Sequence, residues 1–202
     1  MNVLKFSLAA LLAAGLLAAC ASPSPAPVLL TLPPAATPLA SAVPGTPASA
    51  PLLAVRRVSI PEYLVARRVR YRADASTLAE WPNTFWAERI EIGVSREFVS
   101  ALRQQLPGWA LCDTNCGDAV PALSLQVDLV PMDFVRSAGR LQARARIVLS
   151  SGSVPARELK AQELSYDLPA SGDSAQAHAQ AISELIRQVA QTAAPMLRDA
   201  PR

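Results

Sequence analysis

Nine of the chain's 18 prolines fall between Ala21 and Pro51: Pro23, Pro25, Pro27, Pro33, Pro34, Pro38, Pro44, Pro47 and Pro51. The same stretch carries no charged side chain. Proline removes backbone donors and biases the chain toward extended polyproline II, so this segment is not expected to build a core. It reads as a semi-rigid spacer, which at about 3.1 Å per residue would hold a following domain tens of ångströms from its point of attachment. One apolar island, Val28-Leu29-Leu30-Thr31-Leu32, interrupts it and is a candidate edge strand on that domain. A folded core must come from Leu52 onward.

Upstream, Lys5 supplies a positive start, Phe6 to Leu17 is apolar except for Ser7 and Gly15, and Leu17-Ala18-Ala19-Cys20 ends the run. The apolar stretch is shorter than the roughly 20 residues a membrane span needs. With small residues ahead of the cysteine it reads as a secretory signal peptide. The Leu-Ala-Ala-Cys ending looks like a bacterial lipobox, which makes Cys20 the first mature residue and the lipidation site. Two or more acyl chains give stable anchoring, where one is marginal. The expected organisation is signal peptide 1–19, lipidated cysteine and proline-rich linker 20–51, and a periplasmic domain 52–198. Removal of the 19 leading residues leaves 183 of 202, enough for one domain with a proper core. No second apolar run reaches spanning length, so the mature domain is expected to be soluble and held by lipid alone. In enterobacterial lipoproteins an aspartate after the acylated cysteine favours the inner membrane. Ala21 in that place points to the outer membrane, on its periplasmic face.

Without Lys5 the chain keeps 18 basic and 16 acidic side chains, a balance too weak for a nucleic-acid binder. Alternation of period two marks the strands. A first strand is expected over Leu52–Ile60, ended by Pro61, with Pro61-Glu62-Tyr63-Leu64 as a turn. A second runs from about Val65 to Arg72, where Arg68, Arg70 and Arg72 alternate with Val69 and Tyr71. This arginine stripe is either a solvated, protected edge or a surface for anionic headgroups or an acidic partner. Three more strands are expected: Leu123–Leu129, ended by Pro131; Arg140–Leu149; and Ala156–Leu168, with a bulge between Ala161 and Leu164 where the parity changes.

Two segments carry helical spacing. Trp86, Ile90, Val94, Phe98, Ala101, Leu102 and Leu106 predict a helix over Thr84–Leu106, with Asn83 as N-cap and Pro107-Gly108 as the stop. Trp81, Phe85 and Trp86 cluster at its start, either as core anchors or as a partner or lipid contact. A last helix, about Ser174 to Leu197, follows the capping run Ser171-Gly172-Asp173-Ser174, and His178 near its start is expected to be exposed. Cys112 and Cys116 are the two thiols left once Cys20 is acylated. In an exported chain they favour a structural disulfide, with free thiols and redox or metal chemistry as the alternatives. The fold expected is α+β in two layers, a mostly antiparallel sheet of about five strands packed with two long helices.

Catalytic constellations are nearly absent. The single histidine has no Gly-x-Ser-x-Gly elbow to serve, no glycine loop has phosphate-cradling spacing, and no His, Cys and carboxylate cluster has metal spacing. The expectation is a non-enzyme with no metal and no cofactor.

Leu52-Leu53-Ala54-Val55-Arg56-Arg57-Val58-Ser59-Ile60-Pro61-Glu62-Tyr63-Leu64 resembles the first strand of the PqiC/YmbA-like lipoproteins, the ABC-type transport auxiliary lipoproteins. There a valine-x-x-proline-x-tyrosine-leucine-like strand end recurs. Phe85-Trp86-Ala87-Glu88-Arg89-Ile90 resembles the Trp-Ala-Glu start of that family's first long helix. The order of the remaining strands and the last helix also matches, over about Leu29 to Leu197. Leu30-Thr31-Leu32 departs from the Tyr-x-Leu often found there. The resemblance implies an outer-membrane lipoprotein working with an MCE-domain (mammalian-cell-entry) protein that forms a lipid tunnel, as a homo-oligomeric ring at the far end of that route. A structural envelope lipoprotein scaffolding a different periplasmic complex is the alternative.

Overall fold

The computed structural model describes residues 25–35, 50–113 and 116–200, so Cys20 and the signal segment lie outside the described residues. Its strands are β1 (Val28–Leu30), β2 (Leu52–Val55), β3 (Arg68–Arg72), β4 (Leu78–Trp86), β5 (Ala110–Cys112), β6 (Leu123–Val135), β7 (Arg140–Ser151) and β8 (Glu158–Pro169). Helix α1 is Ile90–Gln105 and α2 is Ala175–Arg198.

The sheet is not the five-stranded antiparallel one expected. Among the described residues it has eight strands and is mixed: β1–β4, β2–β5, β2–β6 and β3–β6 are parallel, while β3–β4, β6–β7 and β7–β8 are antiparallel. The α+β class with two long helices stands. β6 is the hub. One edge of it carries β7, and the other carries β2 at Leu53↔Leu123 and β3 at Arg72↔Val135. The meander β6–β7–β8 follows from short links between antiparallel neighbours. The parallel pairs instead join segments more than fifty residues apart, which no local pattern encodes.

Alternation decides which face is buried. In β6, Leu123, Leu125, Val127 and Leu129 are buried, while Ser124, Gln126 and Asp128 turn away and are half-buried. The buried face meets α1 and α2, which pack on each other, with α2 resting on β7 and β8. Val94, Phe98 and Leu102 of α1 join Leu185 and Val189 of α2, and Leu125, Leu141 and Ile147 of the sheet, in one core. Each such side chain stabilises the fold by about 1.5–3 kcal/mol relative to exposure.

Local departures from regularity explain where the sequence-based boundaries moved. Thr84–Trp86 is strand, not helix: β4 continues through Pro82, and α1 begins only at Ile90 after an Arg89 N-cap that offers no side-chain cap. Asn83 caps nothing. Its φ of 48° places it in the left-handed region, which asparagine tolerates, inside a register shift between β3 and β4. Pro131 does not end β6. The strand bulges there, between Leu129 and Met132, and runs on to Val135, because a bulge asks no ladder donor of proline. In β8 the extra residue is Leu159, between the pairs Leu149↔Lys160 and Ser150↔Glu158, rather than one between Ala161 and Leu164. Ser174 does cap α2, its Oγ accepting from Ala177 N at 3.0 Å.

The apolar island is structural. β1 pairs with Thr84–Trp86, and Asn83 Nδ2 donates to Pro25 O and Ala26 O at 2.8 and 2.9 Å. Beyond β1 the chain straps both helices. Leu32 and Ala35 are buried, Ala35 N donates to Glu97 Oε2 at 3.1 Å, and Ser183 Oγ donates to Pro33 O at 2.7 Å. Gly93 of α1 lies under this strap, where a Cβ would make ordinary contact with Leu32 Cδ1 at 3.5 Å and a tighter one of 3.3 Å with Glu88 Oε1. The fold therefore begins by residue 25, inside the segment expected to act as a semi-rigid spacer, and Leu30, Leu32 and Ala35 of that segment join the core.

Candidate functional site

The arginine stripe of β3 lies on the open face of the sheet, and acids on neighbouring strands meet it. Arg68 Nε and Arg70 Nε each stand 3.3 Å from Glu80. Arg72 Nη2 donates to Asp133 Oδ1 at 3.1 Å, with its Nε in ionic contact with Oδ2 at 3.0 Å. Tyr63 OH donates to the same Oδ1 at 3.0 Å, and burial followed by the Asp133 bond raises the phenol pKa. Arg136 forks onto Asp173 at 2.8 and 3.0 Å and lies over the rings of Tyr71 and Trp81. The stripe is thus largely neutralised within the sheet.

Beneath it, β3, β4, β6 and α2 bring aromatic rings together. Tyr71 and Trp81 are 5.0 Å apart, Trp81 and Phe134 6.3 Å, and Phe134 and His178 4.6 Å; Trp86 meets His178 edge-on at 6.4 Å. His178 is 3% exposed, not exposed as expected, because α2 turns that position onto Phe134 rather than to solvent. Burial lowers its pKa to about 3, so the ring is neutral, and Nδ1 has no hydrogen-bond partner. Trp81 and Trp86 are 6% and 5% exposed, core anchors rather than an open contact patch. Phe85 alone of the three is half-buried, pointing to the open face under the Arg68 guanidinium, 5.0 Å from its ring centroid.

Three recesses flank this framework. One of about 450 Å³ opens where β4 passes into α1, lined by Val65, Arg67, Trp86, Glu88, Arg89 and Glu91. Glu91 there is 7% exposed. Its carboxylate pairs ionically with Arg89 without hydrogen-bond geometry and sits in the first turn of α1, where the helix dipole favours negative charge. A second, of about 570 Å³, lies beside α1 with Arg56, Arg57, Arg96 and Arg103 at its rim. Arg96 bridges Glu88 and Glu97, and those carboxylates, Glu88 foremost, raise its pKa. The third, of about 640 Å³, is bounded by Arg56, Asp128 and Gly152. Cys112, at the end of β5, and Cys116 are joined by a disulfide, Cα to Cα 5.3 Å. Among the described residues no group of three or more His, Cys, Asp or Glu side chains could hold a metal, and no helix is long and apolar enough to cross a membrane. What the surface offers is contact chemistry: arginine forks, an exposed apolar edge and shallow grooves. Docking of the Val28–Leu32 island as an edge strand was legible in sequence; what was missed were the contacts of Pro33 and Ala35 with the two helices and the Asn83 clamp, whose partners lie more than fifty residues away.

Comparison with known proteins agrees with this architecture. A solved structure described only as an uncharacterized protein superposes with a TM-score of 0.67 at 19% identity, covering 86% of this chain and 99% of that one. Protein XCC0632 from Xanthomonas campestris superposes at 0.59 and 17% identity, covering 85% and 92%. These likenesses establish the fold. In sequence, the intermembrane transport lipoproteins PqiC of Escherichia coli (strain K12) and Shigella flexneri are each 30% identical over 76 residues, 38% of this chain and 41% of theirs. The chain thus spans about two fifths of the length of the curated relatives it matches. The model of a family described as the ABC-type transport auxiliary lipoprotein component matches residues 30–194, from the end of β1 to the last turns of α2. The chain belongs to the ABC-type transport auxiliary lipoprotein family.

Proposed function

We propose that this protein is the outer-membrane lipoprotein subunit of an MCE-type intermembrane lipid transport system, docking the lipid tunnel at the outer membrane from its periplasmic face. The observation that carries this reading is the family match over residues 30–194, which takes in nearly the whole fold. The relatives named as intermembrane transport lipoproteins support the lipid-route part of it. Cys20, acylated, is the anchor. The partner is an MCE-domain protein, met by a homo-oligomeric ring of this chain. The role is non-catalytic: a lipid crossing water needs a continuous shielded path, and that path needs a fixed end. A buried, neutral His178 suits a packing role better than proton transfer.

Crosslinking and pull-down of the intact lipoprotein from membranes tests the proposal, with Cys20→Ala as control. An MCE-domain protein captured by the wild type, and lost or reduced with the control, is the expected result. Capture of cell-wall or secretion components alone, from a folded and correctly placed protein, would replace it with the scaffolding role.

A further inference from the structure

Among the described residues β1 is an edge strand, and its first two residues are exposed apolar side chains. Val28 is 42% and Leu29 57% exposed. They are the two exposed large hydrophobics that adjoin in sequence; Ile92, Val120, Val130 and Val154 stand singly. Register extends the patch across the open face, since Leu29 pairs with Phe85 and Phe85 with Arg68. The row Leu29, Phe85, Arg68 thus runs from apolar edge to cationic centre. Arg67 is exposed at the same corner, with its carbonyl accepting from Trp86 N at 2.7 Å, and it makes no ion pair among the described residues. The nearby acids are engaged: Glu80 by Arg68 and Arg70, Glu88 by Arg96, and Glu91 by Arg89.

The chain's connection to its anchor decides what covers this corner. Pro25 and Ala26 are clamped by Asn83, so the fold has begun by residue 25, five residues after Cys20. Five residues reach at most about 18 Å even when fully extended. An acyl group on Cys20 therefore holds this corner within a short reach of the leaflet that contains it. Apolar side chains ringed by arginine are the chemistry of a protein surface seated in a phospholipid interface, with the aliphatic groups in the headgroup–acyl boundary and the guanidinium groups on phosphates.

We propose that the corner formed by β1 and the adjoining ends of β3 and β4 rests on the phospholipid leaflet that carries the anchor, with Val28, Leu29 and Phe85 entering the interface and Arg67 and Arg68 meeting lipid phosphates. This rests on acylation of Cys20. It fixes how the domain is turned: the β1 edge faces the membrane, and the β7–β8 hairpin loop, where Val154 is 98% exposed, faces away from this contact.

The test uses the acylated full-length lipoprotein, reconstituted in vesicles of phosphatidylethanolamine and phosphatidylglycerol. Acylation is first established by incorporation of labelled fatty acid that Cys20→Ser abolishes. An environment-sensitive fluorophore is then placed at Leu29→Cys or, in separate proteins, at Val120→Cys or Val154→Cys, and lipids with quenchers at known depths are added. The reporter at 29 should be quenched at least about fivefold more than those at 120 and 154, as expected of a side chain in the acyl boundary. In a protein reporting from Val28→Cys, reversing Arg67 and Arg68 to Glu should cut that contact about fivefold or more. An acylated protein with equal quenching at all three sites overturns the membrane corner while leaving the anchor intact. Absence of acylation overturns both. A blue-shifted reporter at 29 that stays unquenched and follows protein concentration assigns the edge to a second copy of the chain and overturns the lipid contact.

Discussion

His178 lies between the Phe134 and Trp86 rings with an unpartnered Nδ1, and this makes folding sensitive to acid. Burial lowers its pKa to about 3 from the ordinary 6.5. Below pH 6.5 the unfolded chain takes up a proton that the folded chain refuses, so stability falls as pH drops from 6.5 toward 3, by at most about 1.4 kcal/mol per pH unit. His178→Phe keeps the stack and removes the titration. Urea unfolding should place the variant within about 1 kcal/mol of wild type at pH 7, and about 2 kcal/mol ahead of that difference at pH 5. Equal pH slopes in the two proteins would mean the ring is solvated. Asn83 has a different duty. Asn83→Ala loses two side-chain bonds to Pro25 and Ala26 ahead of β1 and puts a Cβ without a local hydrogen bond at positive φ, for an expected cost of about 1–2 kcal/mol. Asn83→Gly spares the backbone part, so it should lose less; an equal loss would place the whole effect in the clamp. At Gly152 a Cβ would stand 1.6 Å from Pro121 O, so Gly152→Ala forces the backbone apart. A destabilisation of about 3 kcal/mol is expected by denaturant titration.

Among elements, the N-terminal strap stands out because it is short in sequence and wide in contact. Leu30, Leu32 and Ala35 are buried, and Glu97 and Ser183 bond its backbone from one helix each. Leu32→Ala should cost about 2–4 kcal/mol and speed amide exchange of Ala35. A loss below half a kilocalorie would show that the strap contributes little to the fold. The disulfide closes a small loop after β5. By loop length alone, Cys112→Ser with Cys116→Ser should lower stability by about 2 kcal/mol without changing the far-ultraviolet circular dichroism. Strand β4 shows why its residues read as helix. Pro82 and the left-handed Asn83 break the period-two pattern between Trp81 and Trp86, leaving a spacing from Trp86 to Ile90 and Val94 that matches a helical turn. Where no such irregularity intervenes, as in β7, the alternation Leu141, Ala143, Ala145, Ile147 was legible and the structure keeps it.

For the whole molecule, sequence alone determined what depends on near neighbours. Period-two alternation placed β6, β7 and β8, because a strand's faces are set by adjacent residues. Helical spacing and the Ser174 cap placed α2; the exported, tethered organisation expected from proline density and the Leu-Ala-Ala-Cys20 ending rests on residues outside those described. Most of the candidate surface was not legible. Trp81, Phe85 and Trp86 stand close together in the sequence, but which of them faces solvent is fixed by pairing across β3 and β1. His178 sits on a residue of β6, 44 positions away. Only the tertiary structure decided that Val28–Leu30 pairs in parallel with Thr84–Trp86, that β2 joins β6, and that an eight-stranded mixed sheet replaces a short meander. The physical reason is that parallel pairing joins segments far apart in the chain. Its free energy comes from backbone bonds and apolar burial at partners that leave no periodic mark in either segment alone.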